Sequence, residues 1–158
     1  MGTIYMLVGI SGSGKSTMAR KLNVLSEGKA AIVSSDDIRE EIYGDASDQS
    51  NPQKVFDIAY ARVKKHLLSG NDVIFDATNL TKKTRNYLFS YLKKHNLIEG
   101  NDVIACICNA DVETCVRRQA SRARKVPQSV ITRQSLQYEV PELSEGFYAI
   151  ADFTERED

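Results

Sequence analysis

One stretch of this sequence constrains its fold more than any other. Gly9-Ile10-Ser11-Gly12-Ser13-Gly14-Lys15-Ser16 reads G-x-x-x-x-G-K-[ST], with the apolar run Thr3–Gly9 before it and the helix-like segment Lys15–Leu25 after it. Glycines admit backbone angles and close approaches that a Cβ would block. Successive N–H groups can then converge on phosphate oxygens, backed by the N-terminus of the following helix. The Lys15 ammonium is a mobile point charge suited to β- and γ-phosphates, and the Ser16 hydroxyl suits Mg²⁺. The spacing therefore assigns Gly9, Ser11, Gly12, Ser13, Gly14, Lys15, Ser16 and Thr17 to a nucleoside triphosphate, ATP or another. A glycine turn that only opens a helix would explain the glycines but not the lysine and hydroxyl beside them. The loop does not say where the phosphate goes.

Four further observations set the frame. Apolar runs of strand length at Thr3–Gly9, Ala30–Ser34, Asp72–Asp76 and Asp102–Cys108 are continuous rather than alternating, as in parallel strands covered on both faces, with a weaker fifth at Tyr148–Phe153. Helical patterns lie between and after them at Lys15–Leu25, Asp36–Tyr43, Pro52–Ser69, Lys82–His95, Val112–Ala123 and Gln128–Tyr138, which predicts an α/β architecture and one domain over residues 1–158. Three clustered cysteines, Cys106, Cys108 and Cys115, suggest no disulfide framework and fit a reducing cytoplasm. No apolar run approaches the ~18 residues of a membrane span, so no membrane partner is expected.

Charge narrows the partners. Lys plus Arg and Asp plus Glu both total 21, which excludes a protein that coats nucleic acid by bulk charge. The balance is uneven, however. Thr114–Tyr138 holds six bases and no acid, whereas Glu139–Asp158 holds seven acids and one base. Four arginines in eight residues (Arg117, Arg118, Arg122, Arg124) suit a lid over a triphosphate, because phosphoryl transfer spreads charge over oxygens that a guanidinium can neutralise.

The acceptor side is read from two strand ends. After the second strand comes Ser34-Ser35-Asp36-Asp37-Ile38-Arg39, in which Ser35 is the expected helix N-cap and the acids suit the helix dipole. Capping leaves one feature unexplained: Asp36 and Arg39 share a helix face at i, i+3, at the carboxyl end of a strand, where α/β sites lie. A carboxylate there could take the acceptor hydroxyl's proton while the guanidinium grips an acceptor phosphate. Asp76 closes the third strand, near Mg²⁺ or Arg39, or simply as part of a polar strand exit. Arg85, in the following helix, reads as a solvated helix residue.

Gly9–Thr17, Asp36-Asp37-Ile38-Arg39, Asp76-Ala77-Thr78-Asn79 and Arg118-Gln119-Ala120-Ser121-Arg122 ahead of Val126-Pro127 together resemble the kinase domain of phage and bacterial end-healing polynucleotide kinases. The resemblance spans nearly the whole chain. It implies a P-loop kinase three-layer sandwich, with a parallel sheet of four to five strands in the order 2-3-1-4-5 and an arginine-rich helical lid over about 111–138. It also implies Mg²⁺- and ATP-dependent phosphorylation of a 5′-hydroxyl end of DNA or RNA, in the cytoplasm (a host's, for a phage protein). In that analogy Lys15 and Ser16 hold the triphosphate and Mg²⁺, Asp36 is the general base, Arg39 contacts the acceptor phosphate and Asp76 supports the site. Arg122 is the lid arginine, with Arg124 as the alternative, and Arg118 is a second basic position on the nucleotide. No acylphosphatase-type Asp-x-Asp-x-Thr is present, so no phosphatase activity is expected.

Relatives of these motifs also occur in zeta-type toxin kinases and in kinases of nucleosides, sugars and antibiotics; a slowly hydrolysing nucleotide switch is a third class. Cys106 and Cys108 read as small hydrophobes, and His66 and His95 lack ligand spacing for zinc. Tyr87, Phe89 and Tyr91 read as core or rim packing. Oligomeric state, donor base and the choice of DNA or RNA stay open at this stage.

Overall fold

A computed structural model describes residues 2–122 and 126–154. In chain order the elements are β1 (Gly2–Val8), α1 (Lys15–Leu25), β2 (Ala31–Ser34), α2 (Ser35–Tyr43), α3 (Pro52–Leu68), β3 (Val73–Asp76), α4 (Lys82–Lys94), β4 (Asn101–Ile107), α5 (Val112–Ala120), α6 (Gln128–Gln137) and β5 (Ala149–Asp152), with a 3-10 turn at Leu143–Glu145 before β5. The five strands form one sheet in the order β2-β3-β1-β4-β5, and every pairing is parallel. This is the expected α/β fold and strand order.

The continuous apolar strands are explained by burial on both faces. Along β1, Ile4, Met6 and Val8 join a core with Val73, Phe75, Val103 and Ala105, under Val55, Ala59 and Val63 of α3 and Leu88 and Leu92 of α4. Leu7 points the other way, into a smaller core with Ile74, Cys106 and Ala19 of α1. Period-two alternation thus splits the inner strands β1, β3 and β4 between two apolar layers, whereas β2 and β5 at the sheet edges are only partly covered. A third cluster, Ile10, Leu80, Cys115 and Ile131, lies between the glycine loop and the α5–α6 segment.

Capping side chains show why three helices start where they do. Pro52 opens α3 behind Asn51, whose side chain accepts from Lys54 N–H, and Thr81 caps α4 by accepting from Thr84 N–H. At α2 the cap is Ser34 rather than Ser35. Ser34 stays extended (φ −114°, ψ 127°) and accepts from Asp37 N–H, while Ser35 is the first helical residue and is buried. The α5 helix ends at Ala120 rather than reaching Ala123. Arg124 and Lys125 lie outside the described residues.

The larger correction concerns Arg85. It is not a solvated helix residue: its relative exposure is 0%. Its Nε and Nη2 donate to the two carboxylate oxygens of Glu145, at 2.9 and 3.2 Å, and its Nη1 donates to the carbonyls of Asn79 and Leu80, at 2.8 and 3.0 Å. A guanidinium can be buried when its charge is paired and its donors are satisfied together.

Because all strands are parallel, their carboxyl ends share one edge of the sheet. Gly9, Ser35–Asp36, Asp76 and Cys108 all follow or close strands at that edge.

Candidate active site

The glycine loop is tied to the sheet at its start. Gly9 N–H donates to Thr78 O at 3.0 Å, and a Cβ on Gly9 would sit 2.0 Å from Cys108 O. Gly12 (φ +84°) and Gly14 (φ +102°) take left-handed backbone angles, and a Cβ on Gly12 would meet Cys115 O at 2.7 Å. Gly14 caps α1 with no side-chain acceptor. The N-terminus of α1 therefore faces the loop mouth with its dipole uncovered by any capping group.

Two clefts flank this loop. The first, about 550 Å³, is lined by Ser11, Gly12, Gly14, Lys15 and Ser16 from the loop and α1, and also by Asp36, Arg39, Asp76 and Arg122. The second, about 510 Å³, is lined by Ser13, Thr17, Arg118, Arg122 and Phe153. The structure thus gathers the sequence-selected residues around one loop, except that Gly9 lies beneath it and lines neither cleft.

Within the first cleft, Lys15 Nζ donates to Ile10 O at 3.0 Å. Burial lowers the Lys15 pKa below the usual lysine value, while the carboxylates of Asp76 and Asp36 pull it back upward. Burial likewise raises the Asp76 pKa, opposed by the Lys15 charge. Both groups have lost water, and each supplies the largest opposing charge on the other. Arg39 Nη1 donates to Asp36 Oδ1 at 3.2 Å, with the Arg39 side chain 8% exposed and that of Asp36 50% exposed. Arg39 also lies over the Phe56 ring, 6.0 Å from its centroid, and its Nε is buried with no hydrogen-bond partner. A buried donor left unmatched is costly unless something else supplies an acceptor.

The α5–α6 segment closes over the loop through polar side chains. Arg118 Nη1 donates to Gly12 O at 3.2 Å, and Gln134 Oε1 accepts from Ser11 N–H at 2.8 Å. With the Gln119 amide oxygen turned to the loop, it accepts from Gly12 N–H at 3.3 Å and from Arg122 Nη1 at 3.2 Å. Ser16 and Asp76 bring a hydroxyl and a carboxylate to the same cleft, the hard oxygen donors that Mg²⁺ takes.

Sequence reasoning missed several lining residues. Pro127, Val130 and Gln134 fall at i, i+3 and i+7 on α6 and line the first cleft together with Arg133, so helical spacing from Pro127 could have selected them. Pro52 and Phe56 come from α3, and no local pattern marks them.

A parallel five-stranded sheet with a phosphate loop leaving its central strand defines a P-loop kinase-like domain. The chain belongs to the family described as AAA domain, which matches residues 4–141. Among solved structures, a chain of the Pnkp1/Rnl/Hen1 RNA repair complex superposes with a TM-score of 0.70 at 27% identity, covering 86% of this chain and 43% of that one. A second structure of the Pnkp1/Rnl/Hen1 complex is covered to 41%, so this chain spans less than half of either relative. A fungal RNA kinase aligns with a TM-score of 0.69 at 18% identity, over 100% of this chain and 40% of that one. A gluconokinase from Sinorhizobium meliloti 1021 aligns with a TM-score of 0.59 at 18% identity, over 96% and 81%. The last two share the fold. No curated protein matches the sequence. Among the described residues, no helix is long and apolar enough to cross a membrane.

Proposed function

We propose that this chain transfers the γ-phosphate of ATP to the 5′-hydroxyl end of DNA or RNA. One observation carries the reading beyond nucleotide binding: Arg39 is buried beside the loop, paired to Asp36, with its Nε unmatched. A neutral acceptor offers such a guanidinium only neutral oxygens, whereas the phosphate next to a strand's terminal hydroxyl offers a charged acceptor oxygen and a stronger bond. The resemblance to a chain of an RNA repair complex supports the same class of acceptor.

In this mechanism the loop N–H groups and Lys15 hold the β- and γ-phosphates in the first cleft, and the donor nucleoside lies toward the second. Ser16 and Asp76 would hold Mg²⁺, which supplies charge neutralisation on the triphosphate when bound. Arg39 fixes the acceptor phosphate, which presents the hydroxyl to Asp36. Asp36 takes the hydroxyl proton as the new O–P bond forms and the β–γ bridging bond breaks, leaving ADP. Arg122, with Arg118 behind it, neutralises charge on the transferring group. The partly exposed Asp36 can pass its proton to water, and the triphosphate favours the charged form of Lys15.

The second reading is a kinase of a small anionic metabolite, because the Asp36–Arg39 pair would accept a carboxylate as readily as a phosphate. Transfer of labelled γ-phosphate from ATP decides between them. An oligonucleotide with a 5′-hydroxyl should be labelled in the presence of excess free nucleoside or sugar acid. No label on any oligonucleotide with Mg²⁺ present overturns the proposal.

A further inference from the structure

The Arg85 cluster has no place in that mechanism, yet it is the most heavily bonded buried charge among the described residues. Its position relative to the loop suggests what it does. The ladder between β1 and β3 runs only to Met6↔Phe75, whereas β1 continues beside β4 to Val8↔Ile107. Beyond Phe75, the β3 side of β1 is held by the strand's exit instead. Asn79, in the left-handed region at φ +49°, donates its Nδ2 to Leu7 O at 2.7 Å and to Ala77 O at 3.2 Å. Thr78 O accepts from Gly9 N–H. The exit segment 77–80 therefore replaces the missing ladder, and it carries the first residue of the phosphate loop.

That segment is not a regular element, so something must fix it. Arg85 binds the carbonyls of Asn79 and Leu80 through one nitrogen and Glu145 through the other two. Leu80 O also accepts from Glu139 N–H at 2.8 Å, just past α6. Glu145 Oε2 accepts from Glu142 N–H at 2.8 Å. One planar fork thus joins the β3 exit to the approach to β5 and to the root of α6. Lysine could not reproduce this, because it has no rigid set of divergent donors.

We infer that Arg85 is a positioning residue for the triphosphate: through Asn79 and Thr78 it sets where Gly9, and so the phosphate-binding amides, stand relative to Asp76. The inference rests on the nucleotide-binding part of the proposed function and is independent of the acceptor. A displaced loop weakens the grip on phosphate oxygens but leaves Arg39 and the cleft-lining Pro52 and Phe56 of α3 in place. ATP affinity should therefore fall while the Michaelis constant for the acceptor hydroxyl holds.

The test compares wild type with Arg85→Lys and Asn79→Gly, using calorimetric ATP titration together with steady-state kinetics. Glycine suits φ +49° at position 79 and spares the Arg85–Glu145 pair, so this variant carries the test if Arg85→Lys does not fold. We expect ATP affinity to fall on the order of tenfold in each folded variant, about what the loss of one hydrogen bond to a charged phosphate oxygen costs. The acceptor Michaelis constant should stay within about twofold. A purely structural role predicts the opposite: wild-type ATP affinity in the folded protein, with activity lost only in proportion to the folded fraction. That result overturns the inference and leaves the kinase reading standing. Wild-type protein that binds no ATP overturns both.

Discussion

The phosphate loop is held from two sides by different kinds of contact. On the sheet side, Gly9 is fixed by Thr78 O, Leu7 O by Asn79, and the whole exit by a fully buried arginine. On the α5–α6 side, the loop touches Gln134, Gln119 and Arg118, side chains that can turn away toward solvent or substrate. Contacts of the first kind are dry and mutually satisfied, so breaking one strands a buried charge or donor. Contacts of the second kind are exchangeable, because a phosphate oxygen can accept from Ser11 or Gly12 in place of a glutamine oxygen. In the proposed mechanism the difference separates residues that hold the loop in place from residues that would exchange partners when a phosphate binds.

Substitutions should split the same way. The largest effect is expected from Arg122→Ala, with kcat down by about 10³-fold or more if it neutralises the transferring group and with the melting temperature unchanged. Arg124→Ala made in parallel tells which arginine acts. On the dry side, Arg85→Ala should cost about 3 kcal/mol in urea unfolding, since the largely buried Glu145 keeps only the Glu142 N–H and the Asn79 and Leu80 carbonyls lose a buried donor. A cost below about 1 kcal/mol would erase the distinction between the two sides. Gln134→Ala should be milder, within about 1.5 kcal/mol in stability, because Ser11 N–H can turn to water or phosphate instead. Amide exchange at Ser11 should then speed up while that at Gly9 does not.

The smallest effect concerns pH. Burial holds the Lys15 pKa below 10.5 in the ligand-free protein, and a bound triphosphate favours the charged form. At pH values near and above that lowered pKa, binding should therefore take up a fraction of a proton, and ATP affinity should fall as pH rises through it. Calorimetry in two buffers of different ionisation heat measures that uptake; proton release would contradict it.

The sheet was legible because its cause is local. Each strand is a continuous apolar run closed by turn residues, and the loop motif marks the central strand, so element bounds fell within a residue or two outside α5. Ser34 and Ser35 illustrate the limit: two identical side chains sit side by side, and only the backbone angles decide which one caps. Arg85 illustrates the deeper one. Lys82-Lys83-Thr84-Arg85 reads as a polar helix start, and its burial depends on Glu145, sixty residues later. The loop residues, Asp36, Arg39, Asp76 and Arg122 could be selected for the cleft from motif and spacing. Phe56 and Pro52 reach it only through the packing of α3, which no short window reveals.

The most direct test of the account is the ratio of kcat/KM for a 5′-hydroxyl oligonucleotide to that for a free nucleoside, measured in wild type and in Arg39→Gln. If Arg39 grips an acceptor phosphate, wild type should favour the oligonucleotide by about 100-fold or more, and the substitution should collapse most of that preference, as loss of a charge-assisted hydrogen bond implies. A wild-type enzyme that phosphorylates the nucleoside or a sugar equally well, with no response to Arg39→Gln, would contradict it.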